Sequence, residues 1–173
     1  MYSGALVEYS GILNLVNAMK YVKNDKIHLH IYGNGSLKKE IQDLCERCEN
    51  VKYCGTLVNT EMLKVQQQAW LLANPRPVEN DTAKVTFPSK IFEYMMSGRP
   101  VISTKLNGFS KDYDKLLFWM DDSVQGIACK INELDGMIDE VLNETARNAR
   151  NFMLKNKSWE QNSMNVYRYL EQI

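Results

Sequence analysis

The chain has 173 residues, the length of one domain or of one domain with an appended helix. Apolar residues make up 45% and charged residues 24%, the composition of a packed globular protein. With 21 basic and 21 acidic side chains the formal charge is zero, so the basic excess that a nucleic-acid binder sets against phosphates is absent. Local cations can still meet a small phosphate ligand. Residues 1–8 lack the basic region and apolar run of a secretory signal, and no stretch approaches the ~20 apolar residues needed to cross a bilayer. The expected compartment is the cytoplasm.

Residues 2–7 read as a first strand, after which Ile12, Leu15, Val16 and Met19 recur at helical spacing and predict a helix over residues 11–22. Ile27, Leu29 and Ile31 alternate with His28, His30 and Tyr32, the two-residue period of a strand, with both histidines expected as packing residues. Gly33-Asn34-Gly35 makes the turn, and Ser36 is the expected cap of a helix carrying Leu37, Ile41, Leu44 and Cys48. Cys45 and Cys48 form a C-x-x-C pair, but no second pair or nearby His completes a zinc site, so free thiols are expected. Residues 51–54 form a short strand, Asn59 is the expected cap of the helix containing Met62 and Leu63, and residues 70–73 are the next strand.

A polar, proline-containing loop spans residues 74–86. Pro88 occupies the place of a first-turn proline and opens a helix to about Ser97; Gly98 ends it, and residues 100–103 return as a strand. Residues 116–120 are a last short strand. Asp121-Asp122 is expected to cap a helix before Val124 rather than bind metal. The apolar positions from Leu134 to Met153 predict one long amphipathic helix, and Trp159, Val166, Tyr167 and Leu170 a final one. Strands separated by helices imply parallel pairing through right-handed crossovers. The expected class is therefore α/β, a Rossmann-like doubly wound parallel sheet of five to six strands, which takes ligands beyond the carboxyl ends of its strands. Residues 1–155 are assigned to this domain and 156–173 to a C-terminal helix.

The strongest local signal is Phe87-Pro88-Ser89-Lys90-Ile91-Phe92-Glu93-Tyr94, followed by Gly98-Arg99-Pro100-Val101. A helix start exposes unpaired N–H groups and the positive dipole end; Ser89 adds a hydroxyl and Lys90 a cation, together suited to phosphate. Glu93, one turn on, can accept both hydrogen bonds of a ribose diol. A proline-started helix with a solvated Lys and Glu accounts for the local pattern equally well. Gly33-Asn34-Gly35 lacks the third glycine of a nicotinamide fingerprint, since position 38 is Lys38, and is expected as a loop near the nucleotide or as a plain turn.

These residues resemble the motif region of GT-B fold glycosyltransferases, particularly the retaining group that builds bacterial surface polysaccharides. Glu93, Ser97, Gly98 and Pro100-Val101 stand where that family has a Glu, a small residue, Gly and Pro-Val. Tyr2-Ser3-Gly4-Ala5-Leu6 is similar to the family's first strand and glycine turn, Ile31-Tyr32-Gly33-Asn34-Gly35 to its second. Asn50 through Cys54, with Gly55-Thr56-Leu57, is similar to its third strand and the loop beside the base. The resemblance implies the donor-binding half of an enzyme that moves a sugar, with retention, from a UDP- or GDP-type nucleotide sugar to a glycan or lipid-linked acceptor. It implies no cofactor and no obligatory metal. Gly4, Ala5, Gly33, Asn34, Thr56, Leu57, Phe87, Pro88, Ser89, Lys90 and Glu93 would then bind the nucleotide sugar.

Glu93 matches the second Glu of the family's E-x7-E motif, the one on the ribose; the first falls on Val85. The family's two first-loop cations on the diphosphate fall on Ala5 and Ser10. Lys90 and Arg76 are the expected replacements and the expected catalytic pair. The family's other half holds the acceptor, so the chain is expected as an excised domain or gene fragment, inactive alone. That N-terminal acceptor domain is its expected partner, with peripheral contact at the inner face of the membrane confined to the full enzyme. Two other readings stay open: a nucleotide-sugar epimerase half, and a non-enzymatic α/β binding domain, which Val85, Ala5 and Ser10 favour.

Overall fold

The computed structural model describes residues 1–78 and 88–156. Six strands are present among the described residues: β1 (Tyr2–Ser3), β2 (Leu29–Tyr32), β3 (Val51–Tyr53), β4 (Leu72–Asn74), β5 (Val101–Thr104) and β6 (Phe118–Met120). They form two three-stranded parallel sheets in the orders β1-β2-β3 and β4-β5-β6. The two meet at β1 and β4, where the Met1 nitrogen donates to Leu71 O at 2.7 Å and the Ala73 N–H to Met1 O at 3.0 Å. Across that seam the order is β3-β2-β1-β4-β5-β6, which reverses direction between β1 and β4. Such a reversal leaves a crevice above the carboxyl ends of the strands. The α/β expectation holds, with the single sheet resolved into two halves.

Six helices cover the sheets: α1 (Ile12–Ala18), α2 (Lys38–Cys45), α3 (Asn59–Gln66), α4 (Lys90–Met96), α5 (Val124–Asp135) and α6 (Asp139–Asn156). In α1, Ile12, Leu15 and Val16 are buried at the spacing of one helical face, against Ile127, Ile131 and Leu134 of α5. On the opposite face Ile91, Tyr94 and Met95 of α4 pack with Ala149 and Met153 of α6. The strands between send alternate side chains to the two cores: Leu71 and Ala73 join the α1–α5 side, Leu72 the α4–α6 side. That is why all four residues of β5 are buried, whereas β2 alternates, with Leu29 and Ile31 buried and His30 exposed.

Several elements depart from expectation. β1 is two residues rather than six, because the chain turns at Gly4. His28 and His30 face solvent instead of packing. α2 is preceded by Leu37 and α3 by Val58, neither position carrying a side-chain cap bond, so Ser36 and Asn59 do not cap; Asn59 is the first residue of its helix. The cap of α5 is Ser123, whose hydroxyl accepts from the Gly126 N–H at 3.0 Å, while Asp121 accepts from the Ser123 N–H at 2.9 Å. The predicted long C-terminal helix begins later than expected: α5 ends at Asp135, Gly136 follows it, and α6 starts at Asp139. Cys45, Cys48, Cys54 and Cys129 are free thiols. The final predicted helix lies outside the described residues, as does nearly all of the assigned 156–173 segment. Among the described residues, no helix is long and apolar enough to cross a membrane.

Candidate functional site

The loops that leave β1, β2 and β3 lie side by side above the crevice, bound backbone to backbone. Gly4 N–H donates to Tyr32 O at 3.0 Å, Leu6 N–H to Asn34 O at 3.0 Å, and Gly33 N–H to Gly55 O at 2.8 Å. The Tyr53 hydroxyl adds a bond to Gly33 O at 2.9 Å. At Gly33 this packing leaves no room for a side chain: a Cβ there would lie 1.8 Å from Gly4 O, and φ is +147°. The glycines therefore pave a floor of main chain that a ligand can approach closely.

Above this floor is a cavity of about 520 Å³ lined by Ser3, Gly4, Ala5, Tyr32, Gly33, Asn34, Thr56, Leu57, Asn59, Met62, Ser89, Lys90 and Glu93. Nine of the residues selected from sequence are among them: Gly4, Ala5, Gly33, Asn34, Thr56, Leu57, Ser89, Lys90 and Glu93. A smaller cavity of about 290 Å³ adjoins it, lined by Tyr2, Ala5, Tyr9, Ser10, Asn74, Arg76, Pro88, Ser89 and Lys90. Ala5, Ser89 and Lys90 belong to both and form the boundary. Arg76 lines only the smaller cavity, so the two selected cations converge there and not in the larger one. Phe87 and Val85 lie outside the described residues.

Lys90 reaches back from α4 across Gly4. Its Nζ donates to the Tyr2 hydroxyl at 3.0 Å and stands 4.2 Å from the centre of the Tyr2 ring, while that hydroxyl donates to Ala5 O at 2.8 Å. Burial, with a smaller push from nearby Arg76, brings Lys90 down to about 8, against the opposite pull of Glu93. Burial likewise pushes Tyr2 up to about 12, so the phenol stays protonated beneath the ammonium. Arg76 lies over the ring of Tyr9 at 5.7 Å. The smaller cavity thus holds two cations, of which Lys90, at the boundary, is poorly hydrated, and this favours an anionic ligand.

The helix start contributes less than expected. Ile91 N–H donates to Pro88 O at 2.9 Å and Phe92 N–H to Ser89 O at 3.1 Å, so two first-turn donors are already used. α4 is also only seven residues long. The anion site rests on side chains instead.

Glu93 is tied down from below. Its Oε1 accepts a hydrogen bond from Nε2 of Gln66, the last residue of α3, and that same nitrogen lies 3.1 Å from Ser3 Oγ. Tyr94, fully buried, accepts from Ser3 N–H and donates to Ser3 O, both at 2.9 Å, locking α4 to the end of β1. Sequence reading missed Gln66 and the cavity residues Tyr32, Asn59, Met62, Tyr9 and Asn74. Asn59 reads as a cap by residue type, and Gln66 carries no local signal because its partners are 63 and 27 positions away.

The family described as Glycosyl transferases group 1 matches residues 1–135. No curated protein sequence matches the chain. Among solved structures, HepE from Anabaena in complex with UDP and glucose superposes with a TM-score of 0.78 at 18% identity, over 99% of this chain and 47% of that one. A mutant of TarM from S. aureus in complex with fondaparinux, alpha-GlcNAc-glycerol and UDP gives 0.77 at 21% identity, over 98% of this chain and 34% of that one. The C-terminal domain of LpcC, a group 1 family protein from Francisella tularensis, gives 0.75 at 16% identity, over 91% and 86%. The chain therefore spans about a third to a half of HepE and TarM, and most of the isolated LpcC domain.

Proposed function

The chain belongs to the group 1 glycosyl transferases, and from that premise we propose that it is the donor-binding half of a retaining glycosyltransferase that uses a nucleoside diphosphate sugar. One observation carries the reading: Lys90 and Glu93, from a single helix, line one cavity beyond β1 and β2, with Lys90 held at its border with a second cationic cavity. Glu93 would accept the ribose hydroxyls in the larger cavity. Lys90, with Arg76 beyond it, would hold the diphosphate at the boundary, and the sugar would extend toward Tyr9 and Asn74. HepE and TarM, both solved with UDP, support this assignment by fold.

In the reaction the bond between the anomeric carbon and the terminal phosphate oxygen breaks, and an acceptor hydroxyl bonds to that carbon and gives up its proton to the departing phosphate. Negative charge grows on the departing phosphate. Lys90 and Arg76 are pre-placed to stabilise it, where low hydration strengthens the interaction. Acceptor contacts belong to the other half of the enzyme. The acceptor would be a glycan or a lipid-linked molecule at the cytoplasmic face of a membrane.

The test is calorimetric titration of the wild type and Glu93→Ala with UDP, GDP, ADP and inorganic pyrophosphate. Losing a carboxylate bonded to a diol should cost about 1.5–3 kcal/mol for the nucleotides and leave pyrophosphate unchanged. Equal losses for both ligand types would remove Glu93 from the ribose. Absence of any nucleotide binding would favour the non-enzymatic reading, to which Ala5 and Ser10 point.

A further inference from the structure

We propose that Gln66 is the positioning residue of this site: its buried side-chain amide clamps one oxygen of the Glu93 carboxylate and so turns the other toward the nucleotide cavity. The inference rests on the functional reading above and adds a residue that does not line the cavity.

Gln66 has no exposed surface, although a long polar side chain is rarely buried completely. Its Nε2 serves two acceptors, Glu93 Oε1 and Ser3 Oγ, which come from α4 and β1. Its Oε1, among the described residues, has no hydrogen-bond partner. Rotating the amide by half a turn would set its oxygen against the carboxylate, so the carboxylate fixes the amide as firmly as the amide fixes it. A buried acceptor left without a partner is unfavourable for folding. A buried apolar residue of the same length would avoid that cost, but it would leave Glu93 free to turn. Among the described residues, the charged and titratable groups facing Glu93 are Lys90, one helical turn earlier, and the buried phenol of Tyr94, which points to Ser3. Neither forms a hydrogen bond with the carboxylate, so among the described residues Gln66 is the side chain that orients it.

A purely structural glutamine and a positioning glutamine differ in what their loss affects. The experiment compares wild type, Gln66→Leu, Gln66→Glu, Glu93→Ala and the double variant Glu93→Ala/Gln66→Leu, each titrated with UDP and with pyrophosphate, alongside thermal melts. Gln66→Leu should weaken UDP about fivefold or more and pyrophosphate less than about twofold. In the Glu93→Ala background the same change should add nothing to the UDP loss. Gln66→Glu sets two carboxyl groups in contact, which hold a shared proton only at lower pH. Its UDP affinity should therefore recover as pH falls from about 8 to about 5, relative to wild type. This arm reads the clamp even where Gln66→Leu fails to fold.

If Glu93→Ala weakens UDP while folded Gln66→Leu does not, the clamp is refuted and the functional reading stands. The clamp is equally refuted if Gln66→Leu weakens UDP and pyrophosphate to the same extent, or if Gln66→Glu shows the wild-type pH profile. If Glu93→Ala leaves UDP affinity unchanged, the ribose assignment itself falls and the clamp with it.

Discussion

Lys90 offers the sharpest quantitative test, because its environment makes the charge conditional. With its titration pushed down to about 8 in the unliganded protein, the ammonium is about nine-tenths charged at pH 7 and about one-tenth at pH 9. Only the charged form is suited to a diphosphate. Affinity for UDP should therefore fall about tenfold across that interval, whereas ordinary lysines, titrating near 10.4, would contribute almost no slope there. Replacing Lys90 by Ala removes a charge-assisted bond of about 1.5–3 kcal/mol, a loss of roughly ten- to a hundredfold, and should flatten the pH dependence. The nucleoside titrated in parallel separates any protonation of the base. Folding stability runs in the opposite direction. A lysine lowered from 10.5 to about 8 opposes folding fully below pH 8, and that cost disappears as pH rises toward 10.5. Lys90→Met keeps the stem over Tyr2 and should melt at a higher temperature than wild type at pH 7, by an amount on the order of 1–3 kcal/mol, with no difference above about pH 10.5. A wild-type pH slope that persists in Lys90→Ala, or UDP bound as tightly without Lys90, would refute the assignment.

Two further outcomes are expected. Gly33→Ala should destabilise the fold by more than about 2 kcal/mol, since its Cβ would meet backbone at 1.8 Å; Gly4→Ala should be milder, because its Cβ meets side-chain atoms, with Lys90 Nζ nearest at 2.7 Å, and should weaken UDP by displacing that ammonium. Equal melting temperatures for the two would contradict the backbone-floor geometry. Ser123→Ala should cost about 1 kcal/mol in chemical denaturation by removing the α5 cap, with UDP affinity unchanged.

The local pattern of the chain determined the class of fold and most of the cavity. Period-two and helical spacings marked the strands and helices, and glycines after three strands marked loops that would come together at one end of a parallel sheet. Nine residues selected from those loops and from the Phe87–Glu93 motif do line one cavity. What the sequence left open depends on contacts between distant positions. It placed Lys90 and Arg76 on one phosphate site, but not the burial that lowers Lys90 or the second cavity in which they meet. It offered Glu93 as a candidate for the ribose, but not Gln66 beneath it, because a glutamine on a helix has the same local signature whether it faces solvent or a carboxylate 27 residues away. It offered Ser36, Asn59 and Asp121-Asp122 as caps, each plausible by residue type, and only the path of the chain chose Ser123. Helix and strand periods are written in neighbouring residues, so they can be read in order. Burial, charge regulation and hydrogen-bond pairing arise where separate segments meet, and the tertiary structure alone decides them.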